Sequence, residues 1–429
     1  MKELALGEIC EINPRLPRAQ SKNVECSFVP MEYVDEVTGT VSRTDIRLVN
    51  EVQKGYTYFA ENDVLFAKIT PCMENGKCAI ARNLVNGLGF GSTEFHVLRA
   101  GPETIPEWVY YYLRQVSTRS RAEERMTGSA GQKRVPSSVL EEELFISLPP
   151  LPEQRRIAAL LAKADRLRRL RRYALEVSER YLQGVFVEMF GDPVTNPKGW
   201  DFEELGELIE RFEAGVNFPP ISEKELCSPW RVLKVSATTW GEFDPYESKP
   251  IKPSTIFADT LIVRRGDLIM SRANTTDLVG AVALVEQEPP RVLLPDKLWR
   301  LRLSTHSKVL SHYLLWLLRQ PSMRNAIGAL STGTSSSMKN ISMDKAATLN
   351  IPVAPMNYQQ QFAKTACILG KVCTQQREAL RQAEQLFDAL LHKAFCGELS
   401  GNDGEAVEAL ASASTGGAGE ARQMRLAME

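Results

Sequence analysis

The chain has 429 residues, of which 43% are hydrophobic, and a formal net charge of −1. This length suits two or three globular domains, and the small net charge provides no general attraction for nucleic acid. No apolar run approaches the ~20 residues that cross a bilayer, and the first residues lack the apolar stretch of a secretory signal. We therefore expect a soluble, cytoplasmic protein.

Residues 1–151 predict an α+β globule. Short β-branched runs such as "DVLFAKIT", at residues 63–70, are separated by Gly, Pro and Asn, and one amphipathic helix, "PEWVYYYLRQV", follows at residues 106–116. A polar loop, "TGSAGQKRVPS", comes after it.

A long helix is predicted directly after this globule. The stretch "LPPLPEQRRIAALL", residues 148–161, places three prolines before a run that has no further proline up to Met189. Pro152 stands where a first-turn proline is tolerated, and Glu153 suits the positive end of the helix dipole. The apolar seam runs through Ile157, Leu160, Ala164 and Leu167 and continues through Leu170, Ala174, Val177 and Tyr181. The step from Leu167 to Leu170 is three residues where four is expected, which predicts a local stammer.

Five arginines cluster on this predicted helix: Arg166, Arg168, Arg169, Arg171 and Arg172. Three interpretations are open for them. They form a solvated helix face, a docking face for a partner subunit, or a face near DNA phosphates.

The second half of the chain repeats the first. Leu6 matches Leu205 at an offset of 199, Lys68 matches Arg272 at 204, and the two polar loops match at 205. An offset that grows steadily along the chain is expected for one duplicated unit that has gained short insertions. The copies cover about residues 1–192 and 193–398.

We therefore predict two tandem α+β domains, each followed by a long helix, with the two helices paired as an antiparallel coiled coil. The ranges are 1–151 and 193–354 for the domains, 152–192 and 355–398 for the helices, and 399–429 for a disordered tail of small and polar residues. Strict 4-3 spacing in the second helix supports the coiled coil: Phe362, Ala366, Leu369, Cys373, Gln376, Leu380, Ala383, Phe387 and Leu390. Packing of each helix on its own globule is the alternative.

Signatures of catalysis are missing from the sequence. It contains no GxxxxGK[ST], HExxH or GxSxG motif, and no GxGxxG that leads from a strand into a helix. The eight cysteines form no CxxC pair and predict reduced, mostly buried thiols. The four histidines, with no evident partners, are predicted to be structural or surface residues: His96, His306, His312 and His392. We expect no catalytic residue and no metal site.

Two matching polar loops are the candidate binding features. "TGSAGQKRVPS" and "TGTSSSMKNIS" combine glycines with hydroxyl, amide and cationic groups, which reach phosphate oxygens and base edges. A plain surface turn is the alternative for each. The candidate DNA-binding residues are Lys68, Thr127, Gly128, Ser129, Gln132, Lys133 and Arg134 in the first copy, and Arg272, Asn274, Thr332, Gly333, Thr334, Ser335, Ser336, Lys339 and Asn340 in the second.

The chain resembles the specificity subunit of type I restriction-modification enzymes. The resemblance rests on the duplicated domain-plus-helix pattern, on "LPPLPEQRRIA" with Gln154, and on "FVEMFGDPVTNPKGW" after the first helix. It runs from Leu4 to about Leu399. The start of the second helix, "IPVAPMNYQQQFA", keeps Gln359 but has Met356 where the family has leucine.

The resemblance implies a non-catalytic subunit with two target-recognition domains, each reading one half of a split DNA sequence, and paired helices that set the gap. It implies two modification subunits and ATP-driven restriction subunits as partners, in phage defence. S-adenosylmethionine, ATP and Mg²⁺ would bind to those partners, and none to this chain. The candidate helix or partner contacts are Gln154, Ile157, Leu160, Leu167, Gln359, Phe362, Leu369, Leu380 and Phe387.

Two other functions are considered. One is a two-domain coiled-coil scaffold that does not act on DNA. The other is a nuclease or methylase in its own right.

Overall fold

The computed structural model describes residues 2–18, 21, 23–129, 131–218, 229–239, 241–332, 339–399 and 402–412. The chain separates into two compact units: unit 1 comprises Met1–Tyr173 and Arg377–Glu429, and unit 2 comprises Ala174–Gln376. Both units mix strands and helices, which confirms the α+β prediction. The boundary passes through both long helices, so each unit contains part of each helix.

The helices follow the predicted pattern closely. They are α1 (Leu6–Ile9), α2 (Val49–Val52), α3 (Pro106–Arg114), α4 (Val116–Glu124), α5 (Leu151–Phe190), α6 (Leu205–Leu208), α7 (Ser311–Arg319), α8 (Pro321–Leu330), α9 (Met343–Ala347), α10 (Met356–Cys396) and α11 (Asn402–Ser412). The amphipathic helix predicted at residues 106–116 is α3, its match in the second copy is α7, and the predicted long helices are α5 and α10. At 1.5 Å per residue, each long helix is about 60 Å long.

Short strands occupy the segments between these helices. In unit 1 they are β1 (Lys2–Ala5), β2 (Cys10–Ile12), β3 (Glu25–Val29), β4 (Asp45–Leu48), β5 (Thr57–Ala60), β6 (Val64–Ala67), β7 (Cys78–Ile80), β8 (Leu88–Gly91), β9 (Phe95–Ala100) and β10 (Phe145–Leu148). In unit 2 they are β11 (Asp201–Glu204), β12 (Arg211–Ala214), β13 (Arg231–Leu233), β14 (Ser248–Pro250), β15 (Leu268–Ser271), β16 (Ala273–Asn274), β17 (Val282–Leu284), β18 (Val292–Leu293), β19 (Leu298–Arg302), β20 (Lys339–Asn340) and β21 (Asn350–Val353).

Unit 1 contains two four-stranded sheets among its described residues. One has the order β2-β9-β6-β7 and is antiparallel throughout, and the other has the order β4-β3-β8-β5, with β3 and β8 parallel. A separate antiparallel pair joins β1 to β10, with Lys2 opposite Leu148. The start of the chain therefore lies beside the strand that leads into α5.

The core of unit 1 joins its sheets to parts of both long helices. Leu161 of α5 and Leu390 of α10 belong to the same buried cluster as Trp108 of α3. The ring of Phe395 lies 4.3 Å from that of Trp108. Within unit 1, contacts between α5 and α10 run in opposite chain directions. Arg172 of α5 pairs with Glu384 of α10, whereas Arg168, earlier on α5, has its guanidinium 3.9 Å from the ring of Phe387, which is later on α10.

Unit 2 repeats this plan. Its described sheets have the orders β12-β19-β15-β17 and β14-β13-β18, and β11 pairs antiparallel with β21 as β1 does with β10. An aromatic cluster joins its parts of the long helices to α7: the Phe186 ring lies 5.3 Å from Phe362 and 5.9 Å from Tyr313.

A buried carboxylate supports the same sheet in each unit. Asp63, 1% exposed, accepts a bond from the Ala60 amide at 2.7 Å and two bonds from Arg99 at 2.8 and 2.9 Å. Asp267, 6% exposed, accepts from the Arg264 amide and pairs with Arg300 at 2.9 Å. The two aspartates are 204 residues apart, as Lys68 and Arg272 are, so both copies share this buried carboxylate.

The stammer predicted in the first long helix is wrong. Leu170, Val177 and Tyr181 are 54%, 44% and 44% exposed. The shielded positions instead follow unbroken 4-3 spacing through Leu161, Ala164, Arg168, Arg171, Leu175, Ser178 and Leu182. Arginine carries a long aliphatic stem, so it can take a seam position that a search for apolar residues passes over.

The arginine cluster does not form one solvated face. Arg168, 11% exposed, and Arg169 both pair with Asp165, which is buried. Arg171 donates to the Leu410 carbonyl at 3.3 Å, and Arg172 pairs with Glu384. The solvated interpretation applies to Arg166, which is exposed.

The prediction of a disordered tail over 399–429 is wrong for residues 402–412, which form α11. Val407 is 3% exposed within the core cluster of unit 1, and Asp403 accepts a 2.8 Å bond from Lys393. The buried Val407 side chain, the Lys393–Asp403 pair and the bond from Arg171 to the Leu410 carbonyl hold this helix despite its polar composition. Residues 413–429 lie outside the described residues.

Candidate functional site

The predicted DNA-binding residues of unit 1 come together at the end of β6. Lys68 directly follows this strand, and its carbonyl accepts a bond from the Val135 amide at 2.9 Å. Thr127 and Arg134 exchange backbone bonds of 2.8 and 2.9 Å, which closes the polar loop into a hairpin. Gly128, with φ of 121°, takes a backbone conformation that other residues avoid.

The tip of this hairpin presents its polar groups to solvent. Ser129, Gln132 and Lys133 are exposed, and the Gln132 amide donates to the Ser129 carbonyl at 3.0 Å. These side chains offer a hydroxyl, an amide and a cation on a short, folded-back segment. The hairpin therefore displays groups that can bond both phosphates and base edges.

Arg134 has a partner within the unit. Its guanidinium makes three bonds of 2.8 to 3.2 Å to the Glu94 carboxylate. These bonds hold the pKa of Glu94 below its ordinary value, with burial opposing them. Arg134 thus fixes the base of the hairpin to the loop before β9.

His96 lies under the hairpin and is a residue that the sequence alone did not connect to this site. Its ring is 5% exposed, and Nε2 donates to the Val135 carbonyl at 2.8 Å, which leaves Nδ1 to accept from the Asn13 amide at 3.2 Å. Burial lowers the pKa of His96. The prediction that His96 is structural fits these contacts, whereas its partners could not be found by spacing, because Asn13 and Val135 are distant in sequence.

Unit 2 builds the same frame from different residues. The Arg272 carbonyl accepts from the Ile341 amide at 2.9 Å, as Lys68 accepts from Val135. Thr332 and Asn340 exchange backbone bonds of 2.8 and 2.9 Å, as Thr127 and Arg134 do. β16 pairs with β20, which places Asn274 opposite Lys339.

The two frames differ in their side chains. Unit 2 has Asn340 and Lys297 where unit 1 has Arg134 and Glu94. Lys297 matches Glu94 because its carbonyl accepts from the Arg272 amide, as the Glu94 carbonyl accepts from the Lys68 amide. The Nε of Arg272 is buried and finds no hydrogen-bond partner among the described residues. Four predicted residues of this loop lie outside the described residues: Gly333, Thr334, Ser335 and Ser336.

The prediction that Gln154 and Gln359 face a helix partner or another subunit is wrong. Both side chains are fully buried. Gln154 accepts from the Thr104 hydroxyl and the Ile105 amide, and donates to two backbone carbonyls at 2.8 and 2.9 Å. Gln359 bonds the Leu310 amide and two carbonyls in the same way. Each amide therefore joins the start of a long helix to the loop that precedes α3 or α7.

The apolar candidates on the long helices are shielded from solvent. Ile157, Leu160 and Phe387 lie in the core cluster of unit 1, and Phe362 and Leu369 lie in or against that of unit 2. Leu167 is 9% exposed and Leu380 is half-buried. The clusters that contain the first five of these residues also contain Trp108 of α3 in unit 1 and Tyr313 of α7 in unit 2.

No disulfide joins cysteines of the described residues, and Cys10, Cys26, Cys78 and Cys373 are buried. No cluster of His, Cys, Asp and Glu in this part of the chain could hold a metal ion. Its helices include none that is long and apolar enough to span a membrane.

Comparisons with known proteins agree with this geometry. The model of the type I restriction modification DNA specificity domain matches residues 1–176. The EcoEI specificity subunit of Escherichia coli is 26% identical over 496 aligned residues, which cover 91% of this chain and 82% of that protein. The EcoAI specificity subunit of Escherichia coli is 37% identical over 183 residues, which cover 42% of this chain and 31% of that protein.

A solved structure shares the fold. The type I restriction-modification S subunit from M. genitalium superposes with a TM-score of 0.52 at 13% identity, over 92% of this chain and 96% of that one. The curated relatives are named for specificity and not for catalysis. Residues 1–176 are thus similar to the DNA specificity domain of type I restriction-modification systems, and 91% of the chain is similar to a specificity subunit of these enzymes, the family that its sequence resembles.

Proposed function

We propose that each unit of this specificity subunit reads one half of a two-part DNA sequence. The observation that carries the proposal is the pair of frames at the ends of β6 and β15, whose backbone bonds match while the sequences of their tips differ. Two reading surfaces with one scaffold and different side chains are what an asymmetric, divided target requires. The similarity to type I DNA specificity subunits supports DNA as the ligand.

The polar groups of each frame fit this role. In unit 1, Lys133 can contact a phosphate, and Gln132 and Ser129 can contact base edges or phosphates. In unit 2, Asn274 and Asn340 offer amide groups beside Lys339. The Arg134–Glu94 pair is proposed to hold the first hairpin in shape while its tip contacts DNA.

We also propose that α5 and α10 form an antiparallel coiled coil that sets the gap between the two half-sequences. The opposite sense of the helix contacts within unit 1 supports this pairing. Half-sites read from one face of DNA lie about 34–36 Å apart per helical turn, a distance that helices of about 60 Å can span.

The partners are proposed from the family. Two modification subunits, carrying S-adenosylmethionine, and ATP- and Mg²⁺-dependent restriction subunits would assemble on this chain. Along the unit 1 part of α5, Leu170 and Tyr173 are 54% and 64% exposed, an apolar surface available to such partners. A cytoplasmic location and a role in phage defence follow from the same proposal.

A domain exchange tests the divided recognition. Replacing residues 1–151 by the matching domain of another specificity subunit is expected to change one half of the methylated sequence and to leave the other half and the gap unchanged. Sequencing of methylated adenines in host DNA measures this. The matched exchange of residues 193–354 should change the opposite half.

The proposal would be contradicted if either exchange changed both halves of the methylated sequence, or if it changed neither half. If the chain together with its modification subunits showed no salt-dependent binding to duplex DNA, the result would instead indicate a scaffold that does not act on DNA.

A further inference from the structure

A cationic cavity in unit 1 lies apart from the hairpin frame. It has a volume of about 350 Å³, and its lining includes Arg114, Arg119 and Arg168, with Ser117 and Asp388. All of these residues belong to unit 1. Val116 and His392, at its edge, are exposed, so the cavity opens to solvent.

Two of the three guanidinium groups have no carboxylate partner. Arg114 donates to the carbonyls of Val37 and Gly76 at 2.9 and 3.5 Å, and Arg119 donates to the Arg114 carbonyl. Neither makes an ion pair within the described part of the chain, whereas Arg168 pairs with Asp165 at 2.6 Å. The Nε of Arg119 is buried and has no hydrogen-bond partner among the described residues.

The cavity also receives the start of a helix. α4 begins at Val116, and its N-cap, Gln115, makes no side-chain capping bond. The first amides of a nine-residue helix therefore add a partial positive charge at Val116 and Ser117. Free backbone amides and guanidinium groups are the donors that bind phosphate oxygens.

The single carboxylate in the lining does not balance these charges. Asp388 makes no ion pair with a described residue, and burial raises its pKa, with Arg168 and Arg119 opposing the effect. The pKa of Arg119 is lowered, first by burial and then by the charge of Arg114. The cavity therefore holds excess positive charge that is partly shielded from water, an arrangement that an anion would stabilise.

We propose that this cavity binds a phosphate group, held by Arg119, Arg114 and the amides at the start of α4. The phosphate is either a small free ion or ester, or a phosphodiester of bound DNA. A phosphate oxygen in the cavity would accept from the guanidinium groups of Arg119 and Arg114, which pair with no carboxylate of the described residues. The site lies on α4 and the long helices, so it is separate from the hairpin frame at β6.

Calorimetric titration of the full chain with inorganic phosphate tests the first source. We expect saturable binding, weakened by about tenfold or more in Arg119→Gln, because a charge-assisted bond is lost. Arg166→Gln, an exposed arginine on α5 outside the cavity, is the control and should bind as the unchanged chain does.

Ser117→Asp is a second variant that tests the site if Arg119→Gln fails to fold. A carboxylate at this position favours the helix start, so folding should be kept while phosphate binding is abolished. If Ser117→Asp folds and still binds phosphate with unchanged affinity, the proposed site is wrong.

The second source is tested in the complex with modification subunits. If inorganic phosphate does not bind, Arg119→Gln should weaken duplex binding by about tenfold while Arg166→Gln does not, which assigns the site to a DNA phosphate. Unchanged phosphate binding and unchanged duplex binding in Arg119→Gln would overturn the proposal.

Discussion

At the scale of single residues, the amides of Gln154 and Gln359 show how much one side chain can organise. Each is buried at the first turns of a long helix and uses both its oxygen and its nitrogen on backbone groups of the adjoining loop. Glutamine suits this position because one side chain accepts and donates at once. The proline–glutamine start of each helix is therefore a connection between globule and helix.

Replacing Gln154 with leucine should destabilise unit 1. The change leaves the Ile105 amide and the carbonyls of Glu103 and Pro149 without these partners, at a cost of about 2–4 kcal/mol in the free energy of unfolding. Urea unfolding measures the effect. Gln183→Leu, at an exposed position of α5, should change it by less than about 0.5 kcal/mol, and equal effects of the two changes would contradict the assignment.

The histidine beneath the first hairpin predicts a pH dependence. Since burial lowers the pKa of His96 below its ordinary value of 6.5, the folded state takes up this proton less readily than the unfolded state. The contribution of neutral His96 to folding stability is therefore complete above pH 6.5 and is lost as the pH falls from there toward the lowered pKa. The hairpin should open more often in mild acid.

Amide hydrogen exchange of residues 127–135, corrected for the intrinsic rate at each pH, measures this opening. Protection in the unchanged chain should fall between pH 7.5 and 5.5 more than in His96→Gln. Burial also lowers the pKa of His312 in unit 2, but both proteins contain this residue, so its effect on the comparison cancels. The same fall in both would show that His96 is not the titrating group.

At the scale of elements, the long helices show why apolar patterns alone misplace a seam. The shielded face of α5 passes through Arg168 and Arg171, which use their stems for packing and their charged ends for Asp165 and the Leu410 carbonyl. The apolar residues Leu170 and Tyr173 are exposed instead. A helix that must contact several neighbours along its length need not place all apolar side chains on one face.

The proposed coiled coil predicts how the gap responds to helix length. Inserting seven residues in both α5 and α10, next to residues 174 and 376, should preserve the seam and lengthen each helix by about 10 Å. At 3.4 Å per base pair the gap should grow by about three base pairs.

Sequencing of methylated adenines reads the gap directly. Insertion of the same seven residues in α5 alone is the matched control, and it should abolish methylation, since the seam then loses register along one helix only. An unchanged gap after the double insertion would show that the helices do not set it.

At the scale of the whole molecule, the net charge of −1 provides no general attraction for DNA. Local groups at two frames, and not a general field, would make the contacts. Lys133→Gln should weaken duplex binding of the complex at all sequences and reduce the slope of log affinity against log salt by about 1.

The matched control for this change is Lys163→Gln on α5, whose ammonium lies 3.7 Å from Glu408. It should leave both the affinity and the salt slope unchanged. If Lys133→Gln leaves the slope unchanged as well, Lys133 does not contact a phosphate.

Much of this organisation is predictable from the amino-acid sequence. The repeat, both long helices and the α+β class follow from periodic apolar positions, prolines and ordered matches along the chain. The pairing of Lys68 with Arg272, and of the two polar loops, identified positions whose backbone bonds match in the two units. These features depend on neighbours in sequence or on comparison of the chain with itself.

Tertiary structure decided which groups meet. The burial of Gln154, the partners of His96, the Glu94–Arg134 pair and the helix at 402–412 depend on residues far apart in the chain, as does the cluster of Arg114, Arg119 and Arg168. The sequence by itself determined the two copies and their long helices, because local periodicity encodes which face of an element is apolar. It did not determine the partner of each polar group, because hydrogen bonds and ion pairs form between side chains that only the fold brings together.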